Sequence, residues 1–159
     1  MKNILFVLML VPFVYACKKE LSAAEYLVTH HEEVEKLNEL FQKSRDYISK
    51  KEIEKAETVR VELFNESMQS LKKIEKLEAF EEDEFLKKQT LSIIRFYKDL
   101  SSGNHRELIQ ILRKENLELV DDVRISHLNK DFDQMVLELN NRWIKAKMQF
   151  ERMYKVSIP

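Results

Sequence analysis

The sequence predicts an all-α protein, an antiparallel four-helix bundle with a kinked third helix, on three observations. Between Cys17 and Ile158 the only helix breaker is Gly103, because the two prolines are Pro12 and Pro159, and these are the residue types that most oppose a helix interior. Charged residues make up 35% of the chain, which fits long solvated helix faces. Apolar residues recur by threes and fours over most of its length, the spacing of a single helical face. Four long amphipathic segments with short connections bury their stripes most directly by packing antiparallel.

The first segment opens on Ser22-Ala-Ala-Glu25, a capping box in which the serine hydroxyl takes the third helical N–H and the glutamate reaches back to the cap N–H. Leu27, Val34, Leu37, Phe41 and Ile48 then form an inward stripe to about Ser49, with Glu32, Glu33, Glu35 and Lys36 outward. Ser49-Lys-Lys-Glu52 has the form of a second capping box, so the chain is expected to reverse between Tyr47 and Lys51. One continuous helix through this point is the alternative, and it would give an elongated three-helix coiled coil. The second segment carries Ile53, Ala56, Val59, Leu63, Leu71, Ile74 and Leu77 inward, with Ser67 and Ser70 between them. Small residues there let a neighbouring helix approach closely.

The third helix is expected to start near Asp83, because Phe80-Glu-Glu-Asp-Glu-Phe85 places acids where a first turn would favour them. Its stripe is Leu86, Thr90, Ile93, Tyr97 and Leu100, ending at Ser101-Ser102-Gly103, with the glycine suited to a left-handed cap. A short helix from Asn104 through Leu108, Ile111 and Leu112 to about Lys114 reads as its kinked continuation. The fourth segment is the strongest, with Ile125, Leu128, Phe132, Met135, Leu139, Trp143, Ala146, Phe150 and Met153 at helical spacing. From about Leu119 to Lys155 it would run ~55 Å, so it either overhangs its neighbours or breaks near Asn129.

Ahead of the helices stands a different kind of sequence. Lys2 supplies a positive start, and Ile4 to Ala16 is an uncharged apolar run of 13 residues, which fits a secretory signal. A membrane-spanning helix needs roughly 20 apolar residues. The run ends at Val14-Tyr15-Ala16-Cys17, which contains the only cysteine of the chain. This tetrad resembles the lipobox of bacterial lipoproteins, with Tyr15 departing from the small or β-branched residue usual there. The resemblance implies that Cys17 carries a thioether-linked diacylglycerol and becomes the first residue of the mature chain, often with a third acyl chain on its amine. Two or three acyl chains anchor stably where one is marginal. Residues 1–16 are then a signal peptide that is removed, 17–21 a lipidated linker and 22–159 the bundle domain. The residue after the cysteine is Lys18 rather than aspartate, and by resemblance to enteric-type sorting this points to the outer membrane rather than the inner.

With 16 of 159 residues removed, 143 remain, the size of one domain. They hold 26 Lys and Arg (27 less Lys2) against 28 Asp and Glu, a near balance that gives no broad electrostatic footprint for nucleic acid. Lipidation of Cys17 leaves no thiol for an internal disulfide, so the fold stands on its own core.

Chemistry-bearing clusters are few. His30-His31-Glu32-Glu33 is the one grouping of metal-ligand types, and His30 and Glu33 share a helix face on which a metal could be held with residues from another helix. Di-iron bundles use Glu-x-x-His, whereas the residues three before the four histidines are Leu27, Val28, Ser102 and Arg124. His30 therefore reads as a core-edge residue and His31 as a solvated one. No Gly-flanked serine in a nucleophile-elbow pattern and no glycine-rich phosphate loop is present, and lipidation of Cys17 would leave no free cysteine. Met135, Met148 and Met153 read as core filling rather than copper ligands, and Phe80, Phe85, Phe96 and Tyr97 as aromatic core layers rather than a groove. The expectation is a protein that is not an enzyme and carries no cofactor besides the lipid on Cys17. Its partners are the membrane, through that anchor, and a protein. Metal or haem handling by His30 and Glu33 is the alternative.

The lipobox, the Ala24-Glu25-Tyr26 start, the Phe80-Glu-Glu-Asp-Glu-Phe-Leu86 turn and the Ile94-Arg-Phe-Tyr-Lys98 segment together resemble an uncharacterised family of helical bacterial surface lipoproteins, of the kind encoded by Bacteroidetes and spirochaetes. Such chains put glycine where Glu82 stands. The resemblance implies a helical fold at the cell surface, and no established activity.

Overall fold

A computed structural model of the protein describes residues 21–81 and 83–158; residues 1–20, with the signal stretch and Cys17, lie outside these, as do Glu82 and Pro159. The chain forms α1 (Ala23–Ser49), α2 (Ile53–Lys76), α3 (Phe85–Ser102), α4 (Asn104–Leu112) and α5 (Leu119–Tyr154). Pairings between helices give their directions. Glu33 meets Lys73 and Ser44 meets Ala56, so α1 and α2 are antiparallel. Tyr26 lies against Phe150 and Phe41 against Phe132, so α5 is antiparallel to α1 as well. His30 pairs with Thr90 and Asn38 with Tyr97, so α3 crosses the bundle diagonal parallel to α1. The result is an up-down-up-down four-helix bundle whose third helix continues, past Gly103, as α4.

The ends of the helices show how far local chemistry carried. Ser22 forms the capping box with Glu25, its Oγ accepting the Glu25 N–H at 3.2 Å. Ser49 does not cap α2. It remains in the last turn of α1 with its hydroxyl donating to the Asp46 carbonyl at 2.7 Å, and the reversal is made by Lys51 at φ 60°. Helix α3 starts at Phe85 rather than near Asp83, so the acids precede the first turn; Asp83 still accepts the Leu86 N–H, at 3.4 Å. Gly103 has φ −108° and ψ −107°, not the left-handed cap. Glycine suits the position because a Cβ there would stand 3.0 Å from the Asp99 carbonyl oxygen. Helix α5 is unbroken for 36 residues, about 54 Å.

Two apolar clusters hold these helices together. The larger one joins Val34, Leu37 and Phe41 of α1 to Leu63 and Ile74, Ile93 and Tyr97, and Leu128, Phe132 and Trp143. The smaller lies at the end of the bundle where α1 begins and α5 finishes. There Tyr26, Leu27, Leu86, Ala146 and Phe150 are covered by Leu21, Phe80, Tyr154, Val156 and Ile158. At the opposite end the buried Arg60 clamps α2 to α3, donating to Glu57 through two nitrogens and to the Ser101 carbonyl at 2.6 Å.

Several expected orientations are corrected here. Met135 and Met153 belong to no buried row and, with Met148, face solvent. The inward face of α5 passes through Leu128, Phe132, Val136, Leu139 and Trp143, a 4-4-3-4 spacing that rotates Met135 away. Phe85, read as a core layer, is exposed, whereas Phe80, Phe96 and Tyr97 do pack inward. Glu33, read as outward, is buried.

Candidate functional site

The four-residue run His30 to Glu33 is split by its helix between two seams of the bundle. His30 is fully buried, between α1, α3 and α5. Its Nδ1 lies 2.9 Å from the Thr90 hydroxyl. That hydroxyl donates its single proton to the Leu86 carbonyl at 3.0 Å and accepts the Trp143 indole N–H at 3.2 Å. The remaining lone pair must take a proton from His30, so the imidazole carries its hydrogen on Nδ1 and leaves Nε2 bare. The other tautomer would bury an N–H donor with nothing to accept it, since Nε2 has no partner. Burial, with Lys87 nearby, pushes the pKa down to about 3, and the ring is neutral.

Glu33 faces α2. Its carboxylate accepts from the Ser70 hydroxyl, from Lys73 Nζ at 2.6 Å and from Lys36 Nζ at 2.9 Å, and Lys36 bridges on to Glu66 at 2.9 Å. Burial alone would raise its pKa, but the three donors outweigh that and hold it at about 2. His30 and Glu33 are thus each committed to different neighbours. Among the described residues, no three His, Cys, Asp or Glu side chains group as metal ligands. His31 is not fully solvated. It stacks on Trp143 at 5.6 Å between ring centroids with 15° between the planes.

A second buried histidine, which the sequence reading did not single out, sits on α4. His105 Nε2 is 3.2 Å from the Ser44 hydroxyl, whose proton goes to the Ala56 carbonyl at 3.1 Å. By the same reasoning His105 is protonated on Nε2, and its Nδ1 is buried without a partner. Phe41 and Phe132 pack edge-on against the ring at 5.5 and 6.1 Å. Burial, with Arg60 adding to it, lowers the pKa to about 4. The signal that could have found it was present in the sequence: counted with Leu108, Ile109 and Ile111, His105 falls on the buried side of a short helix.

These sites are polar ties between helices. In each, the hydroxyl beside the histidine gives its proton to a backbone carbonyl, Leu86 for Thr90 and Ala56 for Ser44. Most of the exposed large apolar side chains among the described residues lie elsewhere, on α5. Leu119, Val120 and Val123 are exposed at its start, and Ile144, Met148 and Met153 near its end. None of the described helices is long and apolar enough to cross a membrane.

Compared with known proteins, the chain matches no family model, no curated protein and no solved structure.

Proposed function

We propose that this protein is a lipid-anchored component of the bacterial cell envelope, placed at the outer membrane, in which a non-enzymatic helical bundle serves as a binding or structural module for a protein partner. The observation that carries the reading is Val14-Tyr15-Ala16-Cys17 at the end of a charged start and a 13-residue apolar run. The lone cysteine of the chain stands at the last position of that tetrad, where lipidation requires it. Labelling cells with radioactive palmitate tests the anchor: wild-type protein should take up label and Cys17→Ser should not. Equal labelling of the two would refute it.

A second reading, metal or haem handling, draws on one observation, the bare and buried Nε2 of His30. Glu33 would have to leave Ser70, Lys73 and Lys36 to join it. Metal analysis of purified mature protein decides the matter; stoichiometric metal lost in His30→Ala would favour this reading over the first.

A further inference from the structure

An anchor at Cys17 brings one particular end of the bundle to the membrane. From Cys17 to Leu21 the chain can extend at most about 14 Å, and Leu21 packs on the smaller core cluster. Because α5 is antiparallel to α1, its last turns lie at this same end, with the Tyr26 and Phe150 rings 5.5 Å apart. Large apolar side chains stand in solvent here: Phe85 at 40%, Met148 at 44% and Met153 at 54% exposure, with Ile144 at 46% further up α5. Lys145 and Arg152 flank the methionines on one shallow surface. This is the composition of an interfacial helix face, in which apolar tips enter the acyl boundary and long basic side chains reach back to phosphates.

We propose that the C-terminal part of α5, from Ile144 to Met153, together with Phe85, seats in the headgroup region of a phospholipid bilayer; the proposal rests on the lipid-anchor reading of Cys17. Glu81, Asp83 and Glu84 line the adjoining cleft with Phe85 and Met153, so these three acids more than offset Lys145 and Arg152. The contact is therefore driven by apolar insertion and does not require anionic lipid. It need not be strong, because a short tether holds the face at high effective concentration beside the bilayer. The exposed Leu119, Val120 and Val123 lie at the far end of the 36-residue α5, about 50 Å from its last residues. With the bundle standing on its Cys17 end they are held clear of the bilayer, and they serve as an internal control for that orientation.

The test uses residues 17–159 coupled through the Cys17 thiol to maleimide lipid in phosphatidylcholine vesicles, which supplies a tether whether or not cells lipidate the protein. Met153→Trp and Phe85→Trp each place a reporter on the proposed face, and Val120→Trp places one at the far end. With brominated acyl chains, emission of the first two should fall about twofold relative to ordinary vesicles, and that of Val120→Trp should not change. Trp143 is buried and gives a constant background. Equal emission of both face reporters in the two kinds of vesicle overturns the proposal. So does a concentration-dependent shift of their emission in solution without vesicles, which would make the face a contact between copies of this chain. Failure of the anchor itself is read separately, in the palmitate labelling of cells.

Discussion

The two ends of the bundle are each tied by a buried neutral histidine, and the ties reach different numbers of helices. At the end where the chain enters, His30 shares the Thr90 hydroxyl with Trp143, so one oxygen on α3 connects α1 and α5. At the other end, His105 reaches only Ser44, which passes the contact to the Ala56 carbonyl. That tie fixes the short α4 over the turn between α1 and α2. The entry end is otherwise closed by aromatic packing of Tyr26, Phe80, Phe150 and Tyr154. The far end relies more on ionic contacts, including Arg60 to Glu57, Arg113 to both oxygens of Glu54, and Arg124 to Glu107. A polar tie at a three-helix junction organises the fold, whereas a tie at a hairpin holds a lid of chain in place.

The largest effect that separates these regions is expected from the cores. Phe132→Ala, in the larger cluster, should cost about 4 kcal/mol, and Phe150→Ala, in the smaller one, about 3 kcal/mol. Urea denaturation of the two variants checks the order, and a reversal would mean that the entry end is the better packed. Thr90→Val comes next. It keeps the shape but orphans the Nδ1–H of His30 and the indole N–H of Trp143, and should cost about 2–3 kcal/mol. The same experiment at the far end, Ser44→Ala, orphans one histidine N–H and should cost roughly half as much.

Acid should loosen both ends together. The folded pKa values of His30 and His105, about 3 and about 4, lie below the ordinary value of 6.5. The unfolded chain therefore takes up protons first, and stability is complete above pH 6.5 and lost as the pH falls toward those values. Between pH 6.5 and 5.5 the pair should account for about 2 kcal/mol. His30→Gln or His105→Gln should each remove about half of that slope in urea titrations at the two pH values. Glu33, held at about 2, acts in the same direction only below its ordinary value of 4.5. The smallest effect belongs to the kink. Gly103→Ala forces a Cβ to 3.0 Å from the Asp99 carbonyl, and a cost of about 1 kcal/mol, read as a small fall in Tm, would show that the neighbour yields.

Much of this architecture was legible in the residues. Leu27, Val34, Leu37 and Phe41 face inward on α1 as their spacing requires, and the whole stripe from Leu86 to Leu100 is buried on α3. Ser22 caps where the capping box predicts. The second box, at Ser49, has the same letters and a different outcome. Its hydroxyl finds the Asp46 carbonyl inside α1, and a local motif cannot tell which of two adjoining helices will claim it. The methionines of α5 were misread because a helix of 36 residues drifts against any fixed repeat, and the choice between Met135 and Val136 depends on where α1 and α3 lie.

The sequence by itself determined the all-α class and placed the helix ends to within about a turn. Both depend on near neighbours in the chain: the spacing of apolar residues and the caps. Only the tertiary structure decided which polar groups are buried together. Glu33 is inside because Ser70 and Lys73 meet it from α2 with Lys36 from its own helix. Thr90 is a junction because a histidine from one helix and an indole from another converge on its hydroxyl. Periodicity reports which face of a helix is apolar. It does not carry the position of the donors and acceptors that other helices bring to that face, and those settle whether a polar side chain can be buried there.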